Sequence, residues 1–155
     1  MRRAITLTTH FIAIAFGFAL GVYFLPILTA PPSPDAATLD AMAQDAVFTA
    51  EFSRDLLGSD FLHWGEGTVS LTPTQLVHKG ALAPGPDYMA YLVPNYVTHE
   101  DEFLPIKDRS LAIGPVKTFK GFALDLPDGV NPEEYNTVLI WCEAFSEFIT
   151  AAKYR

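Results

Sequence analysis

Hydrophobic positions follow two regimes along the chain. From Phe11 to Leu28 they run without a charged residue, and from Phe48 onward they come in short bursts cut by turn residues. The first regime predicts a helix. As a helix the Phe11–Leu28 run spans about 27 Å, close to the ~30 Å hydrocarbon core of a bilayer, and Ala4 to Leu7 can lengthen it. Gly17, Gly21 and Pro26 are tolerated in membrane helices. A cleavable secretory signal competes with a retained anchor, with its best cut after Leu28-Thr29-Ala30. Leu28 is bulky where a small residue is wanted, and Pro31 follows directly, so the residues favour the anchor. Arg2 and Arg3 in front place the N-terminus in the cytoplasm and the rest in the periplasm or cell exterior.

The division expected is therefore a membrane anchor or uncleaved signal over 1–30, a linker or short helix over 31–46, and an exported β-domain over 47–155. Ala30 to Pro34 (APPSP) is a stiff spacer. Ser33 and Pro34 could cap and start a short helix within Asp35 to Ala46, with a disordered stalk as the alternative.

The second regime predicts strands. FTAEFS alternates around Phe48, Ala50 and Phe52; TVSLT follows the glycines of HWGEG; QLVHKGAL and YMAYLV are further runs, the latter after the Pro84-Gly85-Pro86-Asp87 turn. Pro94 to Arg109 reads as an irregular acidic segment. SLAIG ends at Gly114-Pro115, and VKTFKGFALDL alternates as one strand. Thr137 to Trp141 is an apolar β-branched and aromatic run suited to a strand buried on both faces. After it, EAFSEFITAAKY fits one helix, or a turn at Glu143 to Ser146 and a strand with Phe148, Thr150, Ala152 and Tyr154 on one face. The strand is favoured because a β-domain needs its last strand paired. Closely spaced strands with turns between them predict an all-β sandwich or jelly-roll-like barrel behind a single transmembrane helix.

Charge and cysteine narrow the function classes. Setting Arg2 and Arg3 aside leaves 8 basic against 18 acidic residues, a net charge of −10. Such a surface repels phosphate backbones, so nucleic acid is not an expected partner. The chain has a single cysteine, Cys142, so an internal disulfide cannot hold an exported fold. No GxSxG, no phosphate-binding glycine loop and no HExxH spacing occurs, and without CxxCH there is no covalent c-type haem motif.

Cys142 is left as a buried apolar residue, a ligand for haem or a metal, or a redox thiol meeting a partner thiol in trans. Glu143 and Glu147 should raise its pKa. His63, in a turn before the Gly65–Gly67 glycines, could face it across the end of a sandwich. His99, Glu100, Asp101 and Glu102 form a cluster that could hold a hard cation or lie solvated. Gly85, Pro86 and Asp87 read first as turn residues.

In order along the chain, GSDFLHWGEGTVSL, GPDYMAYLVP, IGPVKTFKGFALDLP and YNTVLIWCEAF resemble the DM-thirteen domain family, an electron-transfer, DOMON-associated domain, over about Glu51 to Tyr154. The resemblance implies an extracytoplasmic β-domain and a signature cysteine, here Cys142, that is redox-active or binds a cofactor. His63, Gly85, Pro86, Asp87 and Trp141 match the other signature positions. In animals such domains sit beside DOMON domains, so the redox partner expected here is a protein acting in trans. Three functions follow as expectations: a redox or electron-transfer role centred on Cys142, with Trp141 walling the site and His63 a possible ligand; a non-catalytic interaction module with Cys142 in its core; and a structural envelope protein whose acidic loop binds a cation.

Overall fold

A computed structural model describes the whole chain, Met1–Arg155. Helix α1 covers Arg2–Thr29, with Pro26 inside its last turns, and none of its residues is buried. It is long and apolar enough to cross a membrane. After the proline spacer comes α2, Ala36–Met42, whose cap is Asp35 and not Ser33: the Asp35 carboxylate accepts the Thr38 N–H at 2.7 Å. Asp35 directly precedes Ala36, the first helical residue, so its carboxylate reaches the free amide of Thr38 in the first turn, whereas Ser33 stands two residues further back. Leu39 of α2 is buried.

Eight strands follow: β1 (Phe48–Phe52), β2 (Gly65–Leu71), β3 (Gln75–Leu82), β4 (Tyr88–Val93), β5 (Leu111–Val116), β6 (Phe122–Asp125), β7 (Thr137–Cys142) and β8 (Glu147–Lys153). All pair antiparallel in two sheets, ordered β1-β2-β3-β6 and β5-β4-β7-β8. Edge strands β1 and β8 approach one another, as do β5 and β6, so the sandwich nearly closes into a barrel. The all-β domain behind one long apolar helix is the architecture the pattern predicts.

Three local expectations are corrected. Pro94–Arg109 is not irregular: it holds a short helix α3, Glu100–Phe103, and a 3₁₀ segment, Leu104–Arg109. Its polar surface hid two inward residues, Phe103 and Ile106, that cap an apolar sheet face. Val116 to Leu126 is not one strand. Strand β5 runs through Gly114-Pro115 to Val116, which an edge strand permits, and the chain then turns at Gly121 with φ +90° before β6. The third concerns β8, where Trp141 pairs with Phe148 and Ile140 with Thr150, so Ile149 is a bulge. That extra residue reverses the alternation. Phe148 consequently packs on the outer face with Ala151, while Ile149 and Ala152 face the other sheet.

Two apolar layers result. Between the sheets lie Val69, Leu76, Leu92, Val138, Ile140 and Ile149, together with Cys142. Outside the second sheet, under α3 and the 3₁₀ segment, lie Tyr91, Phe103, Leu139, Trp141 and Phe148. Gly67 in β2 holds φ +107°, and a Cβ there would stand 2.4 Å from the Lys79 carbonyl oxygen of β3, so the position calls for glycine. The β1–β2, β3–β4, β5–β6 and β7–β8 connections share one end of the sandwich, because Gly65 pairs with Leu82 and Tyr88 with both Val116 and Cys142. Cys142 lies at that end.

Candidate functional site at the Cys142 end

Cys142 closes β7 opposite Tyr88 and is 2% exposed. Its thiol donates to the Pro86 carbonyl oxygen at 3.1 Å, and the Glu143 N–H donates to the Asp87 carbonyl oxygen at 3.0 Å. The Gly85-Pro86-Asp87 turn is thus fastened over the sulfur. Gly85 has its own reason to lack a side chain: a Cβ there would lie 2.3 Å from the Tyr88 hydroxyl. Asp87 holds the left-handed conformation, φ 54°.

A cleft of about 280 Å³ opens here, lined by Cys142, His63, Pro86, Tyr88 and Phe145, with Val22 of α1 on its outer wall. The structure therefore brings His63 and Cys142 to one cleft. His63 is held by Asp60, whose carboxylate accepts the backbone N–H groups of Leu62 and His63, each at 2.7 Å, and faces the imidazole Nδ1 at 3.1 Å. Burial opposes the charge on Asp60, but these hydrogen bonds outweigh it and hold the carboxyl below its usual range.

Burial pushes the Cys142 thiol up. The backbone amides of Phe145 and Ala144 oppose that rise, and the carboxylates of Asp87 and Glu147 add to it. The sequence points to Glu143 as one source of the rise; the structure replaces it with Asp87. Glu143 turns to the other face, where it accepts from the Tyr91 hydroxyl and from Lys107 Nζ at 2.5 Å. Those partners keep its carboxyl low against burial.

Trp141 does not wall the site. Neighbours on a strand point to opposite faces, so the indole packs in the outer layer, 5.0 Å from the Phe103 ring centre and 5.5 Å from Lys107 Nζ. The acidic cluster is likewise turned to local work. His99 caps α3 by accepting the Asp101 N–H, and Glu102 accepts from the Thr98 N–H at 2.7 Å and the Thr98 hydroxyl. No three His, Cys, Asp or Glu side chains come together so as to hold a metal ion. At the cleft only Cys142 and His63 have ligand chemistry, fewer than the three or four protein ligands of a tetrahedral zinc site. This chain alone thus does not supply a zinc donor set at the cleft.

One buried titratable group lies away from the cleft, in the strand-like run QLVHKGAL. His78 lies between the sheets with the Phe52 and Phe122 rings each 5.1 Å away, and its Nε2 meets the Glu66 carbonyl oxygen at 3.0 Å. Its parity with Leu76 along QLVHKGAL was the available signal.

A family model described as electron transfer DM13 matches residues 56–154. The chain belongs to that family. The match takes in His63, the Gly85-Pro86-Asp87 turn and Cys142, so the cleft lies wholly within the DM13 domain apart from its α1 wall. No curated protein and no solved structure matches the chain.

Asp87 offers a direct handle on this DM13 site. Asparagine tolerates the left-handed conformation and removes a charge that disfavours the thiolate. Asp87→Asn should therefore keep stability within about 0.5 kcal/mol and raise the native thiol's alkylation rate at pH 8 by roughly 2–5-fold. Asp87→Ala should cost about 1 kcal/mol from backbone strain. Denaturant midpoints and alkylation rates read both.

Proposed function

We propose that the chain is a membrane-anchored redox domain that works outside the cytoplasm, with Cys142 as its centre and a protein partner in trans. The observation that carries this reading is the convergence of Cys142, His63 and the Gly85-Pro86-Asp87 turn on one cleft within a domain of the electron-transfer family. The N-terminal helix and the two arginines in its first turn support the placement.

Thiol–disulfide exchange fits these residues without further ligands. Cys142 loses its proton, and the thiolate attacks one sulfur of a partner disulfide. The partner's S–S bond breaks, its second sulfur leaves as a thiolate, and a mixed disulfide to Cys142 forms. A second thiol, also supplied in trans, resolves it. The Ala144 and Phe145 amides favour the thiolate, while burial keeps the resting thiol protonated.

A second reading rests on the same sulfur's burial: at 2% exposure, within the inter-sheet layer, Cys142 serves as a core residue of an interaction module. Glutathione disulfide separates the two. Incubated with the folded full-length chain in detergent, it should add one glutathione at Cys142 by mass, and Cys142→Ser should take up none. Adduct formation only in denaturant would sink the redox reading. The serine variant should cost about 1–3 kcal/mol of stability under either reading, since it buries a hydroxyl.

A further inference from the structure

Helix α1 has 28 residues, so it is about 42 Å long, some 12 Å more than the hydrocarbon core requires. With Arg2 and Arg3 at the inner surface, the surplus of roughly two turns falls at the other end, around Val22 to Thr29. Tyr23 then sits at headgroup depth, where aromatic side chains gather.

Those same turns lie against the loop end of the sandwich. Phe18, Val22 and Tyr23 face Leu62, His63 and Phe145, and Leu25 with Pro26 faces the Gly85–Tyr88 turn. Of these helix residues only Val22 and Pro26 are half-buried, so the grooves between helix and domain stay open. The spacer from Ala30 to Asp35 holds this end close to the helix exit. Side chains at this end are wrong for water: Phe61 is 84% exposed, Phe145 54% and Leu62 40%. Phe145 is the tip of the Glu143–Ser146 turn, and Phe61 and Leu62 lie in the β1–β2 connection.

We infer that the Cys142 end of the domain rests in the outer headgroup–acyl boundary of the bilayer, with Phe61, Leu62 and Phe145 as its interfacial side chains. This inference rests on the anchoring proposed above. Interfacial burial of aromatic and aliphatic side chains is favourable without any basic patch, which suits a chain whose net charge beyond Arg3 is −10 and commits the surface to zwitterionic lipid. The cleft at Cys142 then opens toward the membrane plane. A redox partner must reach it along the bilayer surface.

The test uses the full-length chain in phosphatidylcholine vesicles carrying a lipid spin-labelled near the headgroup end of its acyl chain. A tryptophan is introduced at the near end, Phe145→Trp, or at the far end, Val47→Trp; Val47 is exposed beside Leu71, at the opposite end of β2 from Gly65. Quenching is read as the increase over the unmutated chain. The added tryptophan at position 145 should be quenched at least about twofold more than the one at 47. Equal quenching in protein that floats with the vesicles overturns the inference and leaves the anchor standing. Protein that fails to float overturns the anchor, and the inference with it.

Discussion

Trp141→Ala should lower the unfolding free energy by about 3–5 kcal/mol, the range for deleting a fully buried aromatic side chain. The indole is completely buried and fills the outer layer against Phe103 and beneath Lys107. No solvent reaches the space its removal leaves, because α3 and the 3₁₀ segment close over it through Phe103 and Ile106. Trp141→Phe should cost much less. The indole N–H has no partner to lose, so the change trades volume against relief of an unsatisfied donor. Neither variant should alter the alkylation rate of the folded Cys142 thiol, which points to the other face. Denaturant midpoints test the first part, and a tenfold change of that rate in Trp141→Phe would restore Trp141 to the site.

Stability should also decline as pH falls below about 6.5, the ordinary histidine value. Burial pushes the His78 pKa down, and the Glu66 carbonyl and the more distant Glu51 charge only partly offset it. Nε2 meets a carbonyl oxygen, so it carries the proton, and Nδ1 is bare in a place with no partner. Charging the ring would put an N–H there with nothing to accept it. A depressed folded pKa means that the unfolded chain takes up the proton first. Stability is therefore full above the unfolded pKa. It falls by up to about 1.4 kcal/mol per pH unit between the unfolded and folded values, then levels. Below about pH 4.5 the loss of depressed carboxylates such as Glu143 and Asp60 adds a separate acid limb. His78→Phe, placed between Phe52 and Phe122, should flatten the slope between pH 6.5 and 5. A slope unchanged in that variant would assign the effect elsewhere.

Much of the fold was legible because the signals were local. The turn residues Gly85-Pro86-Asp87, the apolar Thr137–Trp141 run and the charge-free Phe11–Leu28 run each predict what forms there. What failed to read out depends on partners distant in sequence. A polar-looking segment, Pro94–Arg109, forms helices because Phe103 and Ile106 find a sheet face built by β4 and β7. Phe148 changes sides because a single bulge at Ile149 shifts β8 against β7. The candidate site divides in the same way. His63 and Cys142 line one cleft because the β1–β2 and β7–β8 connections share an end, which a sandwich of alternating antiparallel strands makes natural. Trp141, adjacent to Cys142 in sequence, is separated from it by the plane of the sheet. Strand parity alone would have placed it there.

The redox reading turns on whether the folded protein lets a reagent reach the Cys142 sulfur. The most direct measurement is the alkylation rate of the native full-length chain by iodoacetamide, small and uncharged, between pH 7 and 10, with a denatured sample beside it. Access through the cleft should give complete native-state labelling, a rate well below that of the denatured chain at pH 8, and a midpoint above the ordinary thiol pKa of about 8.5. A thiol silent across that range until the protein unfolds would contradict the account and leave Cys142 a core residue.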